Sequence, residues 1–270
     1  MTTKVVSKEQ VNNLLSQITT EVENRPEAMI VYGVEGIGKT SFAAQAPDCL
    51  VIMTRGETGL KTLINNGALE PKRHFPEVKD WQSYLDVLSA IEQGDSGARA
   101  LIIDCMNGLS QLCAEYVCQT VFHGDWSSGK GGFNGFGAGY IATLKEWESM
   151  IVRLDAIRDK GLSIIGIAHA QVKLFSNPEG KDYDRYTPDM HKKLWACSAR
   201  WADIILFMNY HTTVTAEGFK NKAKGGDMRV AYTQRTASWD AKNRHNMPTM
   251  FSLGNSAKEG WANFLVAKNN

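Results

Sequence analysis

Cysteine is scarce in this 270-residue chain. Cys49, Cys105, Cys113, Cys118 and Cys197 form no C-x-x-C pair and no Cys/His zinc spacing. An odd set of this kind excludes a disulfide framework and predicts buried free thiols in a reducing compartment. No apolar stretch approaches the roughly 18 residues of a membrane span. Met1–Lys8 lacks the apolar segment of a signal peptide. The expectation is a soluble cytoplasmic protein with no membrane partner. Charge of one sign is missing too: 30 Lys and Arg face 29 Asp and Glu, for a net charge of +1. No global field draws such a chain onto nucleic acid, so any contact of that kind must come from local loops. Internal repeats and long low-complexity segments are absent. The 43% hydrophobic content suffices for one large α/β core, alone or with a small appendage.

Against that background one stretch stands out. Gly33-Val34-Glu35-Gly36-Ile37-Gly38-Lys39-Thr40 fits G-x-x-x-x-G-K-[ST], the phosphate-cradling P-loop. Met29-Ile30-Val31-Tyr32 before it reads as a buried parallel strand, and Thr40–Gln45 starts a helix with Pro47 just beyond. Strand, glycine loop and helix follow in the required order. Backbone N–H groups from Gly33, Val34, Glu35, Gly36, Ile37, Gly38, Lys39, Thr40 and Ser41 are expected to hold phosphates, helped by the helix dipole. Lys39 is expected to reach the β- and γ-phosphates, and the Thr40 hydroxyl to ligate Mg2+. The bland alternative is an ordinary glycine-rich turn.

The rest of the chain supplies candidates for the remaining chemistry. Val11, Leu14, Leu15, Ile18 and Val22 recur at helical spacing up to Pro26, so residues 1–25 read as an N-terminal helix. It either packs on the core or docks on a neighbouring subunit. Residues 26–270 read as the core with a C-terminal β-extension. Cys49–Met53 is a second strand, and Glu57 follows it, where a carboxylate can polarise an attacking water; Glu57 can equally be a solvated turn residue. Ala100-Leu101-Ile102-Ile103-Asp104 is the Walker B pattern, its carboxylate expected in the magnesium shell with Thr40. Cys105 occupies the position of a second acid, which leaves Glu57 as the catalytic carboxylate.

Trp81–Ile91 and Leu144–Leu154 are predicted helices, and Leu162–Ala168 is a strand tipped by His169. That side chain either senses the γ-phosphate or is a strand-end histidine bonded to backbone. The glycine-dense segment 122–140 interleaves Phe122, Trp126, Phe133, Phe136 and Tyr140 with Lys130. It suits stacking on single-stranded bases, or tucks its aromatics onto the core. Residues 171–190, with Lys173, Lys181 and Arg185, read as a second mobile loop. Ile204–Met208 is a fifth strand. Tyr210–Thr215 and Met228–Thr236 form a hairpin whose tip carries Lys220, Lys222 and Lys224. Lys242 and Arg244 are expected to share one face of a strand, poised for phosphoryl charge or simply solvated.

P-loop, Glu after the second strand, an apolar run ending in Asp, and a polar tip on the next strand together resemble the RecA core, shared with hexameric helicases of the DnaB type. Two departures stand out: Arg55 replaces the Asp usual two residues before the glutamate, and His169 replaces a sensor glutamine. Ala241-Lys242-Asn243-Arg244 is similar to the Lys-x-Arg finger that such proteins insert into a neighbour's ATP site. Segments 122–139 and 172–190 occupy the places of the two DNA-binding loops. More narrowly, the chain resembles phage-encoded AAA-type ATP-binding proteins over about residues 20–250. Arg25-Pro26, GVEGIGKTSFAAQAP, ETGL, GFGAGY, IAHAQVK, DRYTPDMHKK, WADIILF and WDAKNR carry that likeness. Some relatives are single-strand annealing or recombination proteins with a RecA core.

The resemblance implies a RecA-like P-loop NTPase: a mostly parallel sheet flanked by helices, with a C-terminal antiparallel hairpin. It implies ATP and Mg2+ as cofactors, Glu57, Lys39, Lys242, Arg244 and His169 as the catalytic set, and homo-oligomers with shared ATP sites. Single-stranded DNA is the expected partner, with annealing or strand exchange as the outcome in the host cytoplasm, alone or with a single-strand-binding protein. The competing expectations are a helicase or helicase loader, a small-molecule kinase and a nucleotide-gated scaffold. No extra helicase domain and no arginine-rich lid is visible in the sequence.

Overall fold

The computed structural model describes residues 7–21, 25–217 and 220–269, and the side chains of 213–225 fall outside that description. Val22 and the hairpin-tip lysines Lys220, Lys222 and Lys224 therefore lie outside the described residues or side chains. The chain runs α1 (Lys8–Ser16), β1 (Ala28–Gly33), α2 (Lys39–Ala43), β2 (Cys49–Met53), α3 (Gly59–Asn65), β3 (Arg73–His74), α4 (Trp81–Gln93), β4 (Ala100–Asp104) and α5 (Met106–Val121). It continues with α6 (Ala138–Asp159), β5 (Ser163–Phe175), β6 (Tyr183–Pro188), α7 (Lys192–Trp201), β7 (Ile204–Glu217), β8 (Lys220–Tyr232), β9 (Met250–Ser252) and α8 (Ala257–Asn269).

One sheet has the order β3-β2-β4-β5-β1-β7-β8-β9, with β6 hydrogen-bonded to β5 off this path. The pairs from β3 through β7 are parallel, and β8 and β9 are antiparallel. This is the α/β arrangement expected of a RecA-like core with an antiparallel C-terminal hairpin. Every residue of β1, β2 and β4 is buried, as a parallel sheet covered on both faces requires. Side-chain alternation sends Ile30, Tyr32, Ile52, Leu101 and Ile103 to a face covered by Trp81, Trp147 and Leu194. It sends Val31, Val51 and Ile102 to the other face, against Phe42 and Phe264. All five cysteines are buried free thiols.

Register brings the chemistry to one edge. Gly33 pairs with His169 and Met208 at the carboxyl end of β1, and Asp104 pairs with Met53 and Ile167 at the same edge. A Cβ at Gly33 would stand 2.1 Å from the Met208 carbonyl oxygen, so only glycine fits where the P-loop leaves the sheet.

Three expectations need correction. The helix α1 is held by a Ser7/Gln10 capping box, but none of its residues is buried, and Leu14, Leu15 and Ile18 are 57–76% exposed. It does not pack on the described core. Residues 171–190 are not a mobile loop, because β5 continues through Phe175 and turns back as β6 in an antiparallel hairpin. Val172 and Leu174 alternate along β5, and pairing sets Val172 against Tyr186 and Phe175 against Tyr183, residues that suit a strand once a partner exists. Lys242 and Arg244 do not share a strand face: only Lys242 bridges to Ile205, and no strand extends through Arg244.

Candidate nucleotide site

The P-loop takes its shape from glycines at positive φ, Gly36 at 72° and Gly38 at 100°, the latter capping α2. A side chain at Gly38 would be strained there. The loop folds over Lys39, which is 6% exposed and donates through Nζ to the carbonyls of Gly33 (3.0 Å) and Val34 (2.9 Å). Burial depresses its pKa, opposed first by the charge of Asp104 and then by those of Glu35 and Glu57.

The Thr40 hydroxyl donates to Asp104 Oδ2 at 2.9 Å. Asp104 is 2% exposed, and its pKa is pushed up to about 6, first by burial and then by the charge of Glu57. Glu57 is near enough to this pair for its charge to act on Asp104. Its Oε1 accepts from the Cys105 thiol at 2.8 Å and sits 3.3 Å from His169 Nε2. The histidine holds the Glu57 carboxyl below its ordinary range, and Glu57 in return raises the imidazole. Burial pushes the Cys105 thiol well up. A hydroxyl and two carboxylates are hard oxygen donors of the kind Mg2+ takes, so Thr40 and Asp104, with Glu57 near, fit that ion. The glycine cradle and Lys39 fit a triphosphate.

Supports for this cluster were invisible in the sequence. Asn107 Oδ1 accepts from the His169 amide at 2.8 Å, while Asn107 Nδ2 donates to the Asp189 carbonyl. Thr54, fully buried, accepts from the Cys105 amide through its hydroxyl oxygen. Arg55, which stands where RecA-like chains carry Asp, turns to Glu115 at 2.7 Å instead. On the outer side of α2, Arg229 of β8 donates to the Ile37 and Gly254 carbonyls. It lines a cavity of about 280 Å³ with Ser41, Phe42, Leu253 and Asn255. No local motif marks Arg229; hairpin register alone carries it to the P-loop.

Lys242 and Arg244 are not part of this assembly. Lys242 Nζ donates to the carbonyls of Ala199, Arg200 and Ala202, at the carboxyl end of α7. Arg244 pairs with Asp203 at 2.7 Å. Asp203 also accepts from the Ala28 amide, which fixes this corner at the amino end of β1. Along a strand that is roughly 16 Å from the same chain's Gly33.

The glycine-dense segment divides its aromatics. Phe133 is fully buried among Phe122, Trp126 and Tyr140, while Trp126 is 45% and Phe136 96% exposed. Tyr140 stacks on His191 at 3.7 Å. Between the segment and the β5–β6 hairpin lies a cleft of about 580 Å³ lined by Asn107, Gln111, Trp126, Tyr140, Lys173 and His191. Arg185 is unavailable to it, being buried against Asp240. Among the described residues no helix is long and apolar enough to cross a membrane.

A family model described as AAA domain matches residues 25–245. No curated protein matches the chain. Among solved structures it is similar to the flagellar accessory protein FlaH from Methanocaldococcus jannaschii, with 10% identity, a TM-score of 0.43 and 84% of each chain covered. That likeness is too low to bear on ligands or partners.

Proposed function

The chain belongs to the AAA domain family, and from that premise we propose that it binds ATP with Mg2+ and hydrolyses it to ADP and phosphate. The observation that carries this reading is the convergence of Lys39, Thr40, Asp104, Glu57 and His169 at one sheet edge, with Thr40 and Asp104 in direct contact. Lys39 leaves the loop carbonyls to hold the β- and γ-phosphates. Mg2+, when bound beside Thr40 and Asp104, supplies charge neutralisation between phosphates. Glu57 orients the attacking water and takes its proton, and His169 fixes the carboxylate that does so. Burial at this edge makes each of these charges count for more than in water.

Turnover then belongs to an assembly. Arg244 and Lys242 of one subunit lie at the edge opposite their own P-loop, so they serve a neighbour's site or none. An arginine supplied in trans is worth ~10³-fold or more in rate. The apolar face of α1 is available for the neighbouring subunit. Single-stranded DNA is the partner proposed for the 580 Å³ cleft, with a base stacking on Trp126 and phosphates near Lys173; the exposed ring of Phe136 offers a further stacking surface outside that lining. Annealing or strand exchange follows from holding such a strand on an ATP-controlled surface.

ATPase rate measured with and without single-stranded DNA tests this reading. Stimulation supports it; turnover that ignores DNA, with no DNA binding at low salt, removes the DNA part. Mixing Arg244→Ala with Glu57→Gln subunits tests the shared site, because only mixed interfaces restore an intact one. A specific observation favours a second reading. Three carbonyls already occupy Lys242, and a nucleotide-gated scaffold without shared catalysis uses it only to close α7. Under that reading no mixing ratio recovers turnover.

A further inference from the structure

Glu57, Cys105 and His169 form the one group among the described residues whose His, Cys and carboxylate ligand atoms are gathered closely enough to hold a metal ion, all within 4.8 Å of one another. The Cys105 sulfur is 2.8 Å and His169 Nε2 is 3.3 Å from Glu57 Oε1. A tetrahedral zinc spaces such atoms by about 3.3–3.6 Å, so small side-chain rotations suffice. The three come from different elements: the turn after β2, the start of α5 and β5. Cys105 also receives the Gly108 amide at 3.5 Å as the cap of α5. Thiol is a poor choice for a cap, where Ser, Asp or Asn serves better. It is also a poor ligand for Mg2+ and a good one for zinc-class ions. Cys49, Cys113, Cys118 and Cys197 are buried without such companions.

We propose that Glu57, Cys105 and His169 bind a soft divalent cation of the zinc class and that this occupancy arrests the nucleotide site. On binding, the Cys105 S–H bond breaks and its proton passes to the buffer, and His169 Nε2 gives up the proton it donates to Glu57, to the buffer from the imidazolium or to Nδ1 from the neutral ring. Lone pairs of Sγ, of neutral His169 Nε2 and of Glu57 Oε1 form the three metal bonds. Water takes the fourth position, and no electron changes owner. Glu57 is then unable to orient or deprotonate the attacking water. The arrest rests on the proposed hydrolysis; the metal site does not.

The test uses the full chain, stripped with a chelator and titrated with Zn2+ against a chromophoric chelator, then with Co2+ followed by absorption. One strong site and a thiolate-to-cobalt band are expected, and Cys105→Ser is expected to lose the band and weaken Zn2+ binding by at least about tenfold. Cadmium-113 resonance on the unsubstituted chain gives the same answer without a variant, as one signal in the mixed sulfur, nitrogen and oxygen range. No uptake, or uptake and band unchanged in Cys105→Ser, overturns the site. Inhibition of turnover by Zn2+ under excess Mg·ATP, reversed by chelator, completes it. Cys105-dependent uptake in a chain without turnover keeps the metal site and sinks the hydrolysis reading. Turnover in a chain that takes up no zinc does the reverse.

Discussion

The two ends of β1 hold charge in opposite ways. At the amino end, Asp203 meets the Ala28 amide, Arg158 and Arg244, while Arg158 also meets Asp155 and the Pro26 carbonyl. Lys242 closes α7 beside them. Each charge there has a partner of the other sign or a carbonyl. At the carboxyl end, Asp104 and Glu57 crowd together, Lys39 lies on its own loop, and His169 Nδ1 is buried with no hydrogen-bond partner among the described residues. One end spends its charges on holding elements together. The other keeps desolvated, like-signed groups side by side, which is the usual cost of a site prepared for a ligand.

Substitutions separate the two ends. Lys39→Ala is expected to abolish ATP binding by calorimetry while leaving the thermal midpoint of the nucleotide-free chain unchanged or higher, since a buried ammonium is removed; normal ATP affinity would remove the P-loop assignment. Asp203→Ala is expected to cost about 2–3 kcal/mol in denaturant unfolding, because the Ala28 amide and Arg244 lose this acceptor and buried Arg158 keeps only Asp155 and the Pro26 carbonyl. Its folded fraction should bind ATP normally. Asp104→Asn is expected to uncouple ATP binding from Mg2+. In the native chain Mg2+ affinity should fall as pH drops through about 6, where the raised carboxyl of Asp104 takes a proton; a flat profile down to pH 5 would contradict this.

The smallest effect concerns the Glu57–His169 pair. The imidazole is raised on folding, so its share of stability is full below the ordinary value near ~6.5 and is lost as pH rises through the folded value. The carboxyl is lowered, so its share is present above the ordinary carboxylate range and is lost as pH falls through the folded value. The pair therefore stabilises most in the mildly acidic window between the two. His169→Gln should flatten the alkaline limb of that window by less than about 1 kcal/mol, read from unfolding at stepped pH. An unchanged limb would mean that the contact is not formed in solution.

Where local pattern and global position coincide, the sequence was readable. The P-loop declares itself because glycine spacing, the lysine and the flanking strand and helix are consecutive. Asp104 ends a run that can only be a buried strand. Glu57 was legible because it follows a strand end and His169 because it closes an apolar run, since ligands in parallel sheets gather at carboxyl edges; β5 runs on to Phe175, however, so His169 lies inside the strand and not at its tip. Residues 171–190 were misread for want of a partner: a polar strand shows its period only when another strand pairs with it. The helix α1 misled differently. Helical spacing of Val11, Leu14 and Leu15 states which face is apolar, but not what covers it.

Residue order alone, then, determined the parallel core, the phosphate loop and the acids that accompany it, because each depends on neighbours within a few positions. Long-range register decided the rest. It set Cys105 against Glu57 and His169, carried Arg229 to the loop from far along the chain, and sent Lys242 and Arg244 to the edge opposite their own P-loop. Those placements depend on which strands pair and by how many residues they are offset, and no short window of sequence contains that information.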